Sequence, residues 1–104
     1  MNKVSVTIIT KNEEKNIERC LKSILWADEI VVVDTFSTDR TVEICREFTD
    51  KVFQEIWLGY GMQKNLCASK ATNRWVLNID ADEVISSECA AEIQKLLSSQ
   101  PEFS

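Results

Sequence analysis

Glu29-Ile30-Val31-Val32-Val33-Asp34 decides how the rest of this chain is read. Four consecutive β-branched residues form a strand without polar alternation, and such a strand is covered on both faces, as in a parallel sheet. The apolar run then ends abruptly in the carboxylate of Asp34. Ligands of open parallel sheets collect outside the carboxyl ends of the strands, so residues in the position of Asp34 are the first to interrogate for chemistry.

The same pattern extends in both directions. Upstream, Val4-Ser5-Val6-Thr7-Ile8-Ile9 reads as a first strand, and residues 14–27 carry Ile17, Cys20, Leu21, Ile24 and Leu25 at the spacing of an amphipathic helix. Downstream, Ser37 or Thr38 is placed to cap a second helix bearing Val42, Cys45 and Phe48, and residues 51–54 read as a short strand. Gly59-Tyr60-Gly61 interrupts the pattern before a helix over 62–71. A fourth strand over 74–79 follows, and Ser86 or Ser87 opens a last helix containing Cys89, Ile93, Leu96 and Leu97. Strand and helix alternate four times. The expected fold is therefore α/β: a mostly parallel, Rossmann-like sheet of about four strands with helices on both faces, with residues 1–104 forming one unit.

Bulk properties exclude several functions. A chain of 104 residues that is 44% hydrophobic suits one compact domain. Its 12 basic and 17 acidic residues give a net charge of −5, with the basic residues scattered, which argues against nucleic-acid binding. No run approaches the roughly 18 apolar residues of a membrane span, and the N-terminus lacks the apolar core of a signal peptide. The expectation is a cytoplasmic protein, with any membrane contact peripheral and at the inner face. Cys20, Cys45, Cys67 and Cys89 show no paired spacing, and with no histidine in the chain they read as buried small hydrophobes rather than zinc ligands or disulfides. The lack of histidine also removes the Ser-His-Asp and Cys-His arrangements, leaving carboxylates, amides, lysines or a metal to do chemistry.

Three polar segments follow the apolar strands: Thr10-Lys11-Asn12-Glu13-Glu14, Asp34-Thr35-Phe36-Ser37-Thr38-Asp39 and Asp80-Ala81-Asp82-Glu83. In a parallel sheet they converge on one rim. Helix capping accounts as well as function does for Thr38 with Asp39 and for Glu13 with Glu14. Asp80 and Asp82 are different, because a spacing of two along extended chain puts both carboxylates on one side. Such a pair is a hard-oxygen site for magnesium or manganese, whose open positions commonly go to substrate phosphates. A metal-neutralised diphosphate is a good leaving group, which points to group transfer. Two alternatives share these features: a nucleotide-binding module without transfer activity, and a phosphoacceptor receiver, which ranks lower because its acceptor Asp belongs on a middle strand.

The first strand with Thr10-Lys11-Asn12-Glu13-Glu14, then Ile30-Val31-Val32-Val33-Asp34 with Ser37-Thr38-Asp39, then Asp80-Ala81-Asp82 resembles the inverting family-two glycosyltransferases of GT-A fold. Gly59-Tyr60-Gly61-Met62-Gln63-Lys64-Asn65 and the close at Trp75-Val76-Leu77-Asn78-Ile79-Asp80 resemble the bacterial branch that includes lipopolysaccharide-core glucosyltransferases. The resemblance implies a nucleotide-diphosphate sugar donor, UDP-linked by expectation, a glycan or lipid-linked glycan acceptor, and a divalent metal, manganese or magnesium. By position it implies that Thr10, Lys11, Asn12 and Glu13 lie along the nucleoside, and that Asp34 accepts a hydrogen bond from the base. It further implies that Asp80 and Ala81 sit by the ribose, that Asp82 with Asp80 serves the metal, and that Lys64 meets phosphate. The family often has glycine where this chain has Phe36. The catalytic base is expected beyond Ser104, so that residues 1–104 are the nucleotide-binding part of a longer domain, inactive alone.

Overall fold

The computed structural model describes residues 2–99. Strands and helices alternate as β1 (Val4–Thr10), α1 (Ile17–Lys22), β2 (Glu29–Asp34), α2 (Thr41–Arg46), β3 (Val52–Gln54), α3 (Tyr60–Lys70), β4 (Trp75–Asp80) and α4 (Ser87–Ser99). The sheet order is β3-β2-β1-β4 and every pairing is parallel. The registers Thr10↔Asp34 and Ile9↔Asp80 bring the ends of the three longer strands flush, so their loops emerge side by side.

Side chains alternate across this sheet as strand geometry requires. One face carries Val6, Ile8, Ile30, Val32 and Ile79, which pack with Ile17, Cys20, Leu21 and Ile24 and with Cys45 of α2. The other face carries Val31 and Val33, fully buried, and meets α3 over β1 and β2. Cover on both faces of β2 accounts for its unbroken apolar run. On β4 that second cover is thinner, and Val76 is 41% exposed.

Three expectations need correction. The first helix spans 17–22 rather than 14–27, because the Ser23 hydroxyl donates to the Cys20 carbonyl at 2.6 Å and the chain then closes i→i+3 turns at Ser23, Ile24 and Ala27. That tighter winding keeps Ile24 buried but turns Leu25 outward, 62% exposed, although the helical stripe put it in the core. Neither Ser37 nor Thr38 caps α2. The N-cap is Arg40, which makes no side-chain capping bond, and Asp39 just before it accepts from the Thr41 amide at 3.0 Å and the Thr41 hydroxyl at 2.5 Å. Cys89, expected in the core, is exposed on α4, whereas Cys20, Cys45 and Cys67 are buried. At α4 the expected serine cap is Ser86, whose hydroxyl accepts from the Cys89 amide at 3.0 Å.

The amino-terminal ends of the strands are tied together by one buried carboxylate. Glu29 accepts from the Ser5 hydroxyl at 2.6 Å and from the Thr72 amide and hydroxyl at 2.8 and 2.9 Å, and it pairs with Lys51. Burial pushes its carboxyl up, but these hydrogen bonds outweigh burial and hold it at about 2, below the ordinary 4.5.

At about 1.4 kcal/mol per pH unit, that depression contributes about 3 kcal/mol above pH 4.5, lost as the pH falls from 4.5 toward 2. Denaturant unfolding across this window should show the loss in wild type, with Glu29→Gln less stable at neutral pH and flatter in acid. A second test concerns Phe36, exposed and held at a left-handed φ of 48°. Phe36→Gly should stabilise the fold by about 0.5–1 kcal/mol and Phe36→Val should destabilise it, since a Cβ is disfavoured in that conformation and a β-branched one most of all.

Candidate functional site

At the carboxyl end of β2, Asp34 is fully buried and its oxygens are used within the chain. It accepts from the Thr10 hydroxyl at 2.6 Å, the Ser37 amide at 2.8 Å and the Ser37 hydroxyl at 2.5 Å. The loops after β1 and β2 are laced together beyond it. The Asn12 amide donates to the Ser37 hydroxyl at 2.8 Å, and Asn12 Oδ1 accepts from the Thr38 amide at 2.7 Å. The Glu13 and Glu14 amides donate to Thr41 Oγ1 and Asp39 Oδ2 at 2.8 and 3.2 Å, and Lys11 Nζ reaches the Phe36 carbonyl at 3.1 Å. Asn12, like Phe36, holds a left-handed φ, here 52°, which suits a short polar side chain in a tight turn.

The loop after β4 is built differently. Glu83 accepts from the Asp80 amide at 2.7 Å, and the Glu83 amide donates to the Asp80 carbonyl at 3.0 Å, closing a tight turn. That turn leaves the carboxylates of Asp80 and Asp82 exposed, and among the described residues nothing donates to either or pairs with it. The acids do gather electrostatically: burial first, then Glu83, Asp82, Glu13 and Asp80 push the Cys20 thiol up to about 12. Cys45 is likewise at about 12, from burial and Asp34, and Cys67 at about 11 from burial, so the three buried thiols stay protonated at neutral pH.

A pocket of about 490 Å³ opens on this rim. It brings together Thr10, Lys11, Glu13, Lys64, Asp80, Ala81 and Asp82 from the residues picked out in the sequence. Asn12 and Asp34 stand outside its lining, one bridging the loops and the other buried behind them. Ile9, Thr35, Trp57 and Tyr60 complete the wall. Trp57 and Tyr60 were missed because residues 56–58 belong to no periodic element; large aromatics on either side of a loop glycine, Gly59, were the available signal. A second cavity of about 530 Å³ lies at the opposite end of the sheet beside Glu29 and Lys51, whose charges answer each other.

The donor set on the rim fits a hard divalent cation. Asp80 and Asp82 offer oxygen ligands on a fixed turn, and among the described residues no three acidic, cysteine or histidine side chains form a closed metal cage. An incomplete carboxylate set is what magnesium or manganese uses when phosphate oxygens and water fill the remaining positions. Among the described residues no helix is long and apolar enough to cross a membrane.

Comparisons with known proteins agree with this geometry. The model of the family "Glycosyl transferase family 2" matches residues 5–102. An uncharacterized glycosyltransferase of Rickettsia typhi is 48% identical over 100 residues, covering 95% of this chain and 34% of that protein. The lipopolysaccharide core biosynthesis glycosyltransferase LpsC of Rhizobium meliloti is 33% identical over 105 residues, covering 96% and 39%. TarS of S. aureus superposes with a TM-score of 0.78 at 32% identity, over 92% of this chain and 32% of TarS, and its complex with UDP-GlcNAc superposes with a TM-score of 0.73 at 30% identity. The chain spans about a third of the length of the curated relatives it matches. With its parallel α/β sheet shared with GT-A neighbours and a family match over nearly all its residues, the chain belongs to glycosyl transferase family 2.

Proposed function

We propose that this chain is the donor-binding part of an inverting, metal-dependent glycosyltransferase that moves a sugar from UDP to a glycan or lipopolysaccharide-core acceptor. The observation that carries the reading is the rim itself: Asp80 and Asp82 held clear of internal bonds, facing a pocket that also receives Lys11 and Lys64. Uridine diphosphate as the carrier is supported by the TarS complex with UDP-GlcNAc, and the acceptor class by the description of LpsC.

Asp82, with Asp80, would hold the metal. A bound magnesium or manganese neutralises the departing diphosphate and so makes it a better leaving group. Lys64, one helical turn beyond Tyr60 on α3, supplies a positive charge to phosphate, and the laced loops after β1 and β2 keep the pocket wall in place before the donor arrives. The acceptor site and the base that takes the acceptor proton are assigned to the part of the relatives that this chain does not span. The reaction is assigned to the cytoplasm, at the inner face of the membrane when the acceptor is lipid-linked.

Calorimetric titration of UDP into the chain tests this. Binding should require manganese or magnesium and vanish with chelator. Asp82→Ala should weaken metal-supported binding by at least about tenfold, as for loss of a charge-assisted contact. Metal-independent binding that Asp82→Ala leaves intact would refute the assignment. Lys64→Ala should lower UDP affinity by roughly tenfold and leave uridine affinity unchanged, since uridine carries no phosphate.

A further inference from the structure

The two edges of the sheet are built differently. At one edge β3 is three residues long and follows Lys51, and the Lys70 ammonium lies 4.3 Å above the centre of the Phe53 ring. A short strand fringed with lysine is how a protein keeps foreign strands from its edge. At the other edge β4 runs for six residues and, among the described residues, pairs with β1 alone. Trp75-Val76-Leu77-Asn78-Ile79 contains no charge and no proline. The outward amides and carbonyls of β4 therefore form an unguarded template for another strand.

The surface beside that edge is apolar. Helix α3 meets β1 and β2, and Val76 on the same face of β4 is left 41% exposed. Alongside, a groove of about 370 Å³ lies between Trp75, Val76 and Leu77 of β4 and Ile93, Leu96 and Leu97 of α4, with Leu96 60% exposed. Asn2 Nδ2 donates to the Leu97 carbonyl at 2.9 Å, which holds the end of α4 beside the start of β1 and fixes the groove before anything fills it. Exposed apolar surface continuous with an unpaired strand edge marks an interface.

We propose that this edge joins two copies of the chain, β4 of one pairing antiparallel with β4 of the other across a two-fold axis, and the apolar residues of α4 closing over the seam. A second copy fits because the edge is complementary to itself. Side chains that meet across an antiparallel pair share a face, so in a two-fold pair one residue must face its own copy. Centred on Val76, the exposed residue in the middle of the groove lining, the pairing sets Val76 against Val76, Trp75 against Leu77 and Arg74 against Asn78. Within the paired residues no two like charges meet, although each copy carries a net charge of −5. The register also leaves Asp80 and Asp82 outside the seam, so the donor pocket stays open in the dimer. Two strand edges with Leu96 and the groove walls of both copies bury on the order of 1,000 Å² in total, the lower bound for a specific interface, and the dimer is accordingly weak and concentration-dependent.

Sedimentation equilibrium of the chain from about 1 μM to about 1 mM should show a reversible monomer–dimer equilibrium within that range. Val76→Lys, which brings two ammonium groups together at the axis, and Leu96→Glu should each weaken the dimer at least about tenfold. Both positions are exposed in the single chain, and circular dichroism checks that the variants stay folded. Gln54→Lys, at an exposed position on the β3 edge, should leave the dimer constant unchanged. Amide hydrogen exchange should show protection of alternate β4 amides rising with protein concentration, which contact through α4 alone does not produce. A chain that stays monomeric across the range overturns the proposal and leaves the β4 edge to another strand of a longer polypeptide. A dimer untouched by Val76→Lys and Leu96→Glu, weakened equally by Gln54→Lys, or lacking the added β4 protection overturns it as well. Should Val76→Lys not fold, Leu96→Glu and the exchange experiment decide.

Discussion

A buried carboxylate must be surrounded by donors, and in this chain the constraint falls on Asp34. It ends the most deeply covered strand, with no solvent to satisfy it, so Thr10 from the neighbouring strand and Ser37 from the following loop are drawn to it. Fixing those two residues fixes the starts of both loops. Asn12 and Ser37 then find each other, Asn12 and Thr38 likewise, and the wall of the pocket follows. Glu29 does the same at the other end of β2, binding β1, the start of β3 and the approach to β4. The central strand is thus held between two carboxylates, with an apolar run between them that packs on both faces.

The acids of the chain divide by whether their oxygens are already used. Glu29, Asp34, Asp39 and Glu83 each accept hydrogen bonds from backbone amides and serve as internal fasteners. Asp80 and Asp82 do not, and they face a pocket with two lysines nearby. Acceptor capacity left open to solvent at a fixed position is what a cation or a donor group can use, whereas an acid already engaged inside the fold has little left to offer.

Membership of glycosyl transferase family 2 agrees with this division of labour. The relatives are about three times as long as this chain, and the part present here is the part in which β1, β2 and β4 end on one rim.

The periodicity of the sequence by itself determined the alternation of four strands and four helices, the parallel character of β2 and the convergence of three polar loops, because these depend on patterns within about ten residues. Local pattern also marked Asp80 and Asp82, although not for the reason the extended spacing offered: β4 ends at Asp80 and Asp82 lies in the turn that follows, closed by the Glu83 amide on the Asp80 carbonyl. It erred where a single side chain intervened: the Ser23 hydroxyl that ended α1 and exposed Leu25, and the start of α2 at Arg40, which left Ser37 to Asp34 and Thr38 to Asn12. What only the tertiary structure decided is which acid is a fastener and which is free. The partners that occupy Glu29, namely Ser5, Lys51 and Thr72, all lie more than twenty residues away along the chain, and Asp34 takes one bond from Thr10 at that range beside two from the nearby Ser37. Trp57 became legible only once Gln63 was seen clamping the residues on either side of it. Spacing along a chain records what a residue can be, whereas its hydrogen-bond partners, brought by folding, decide what remains for a ligand.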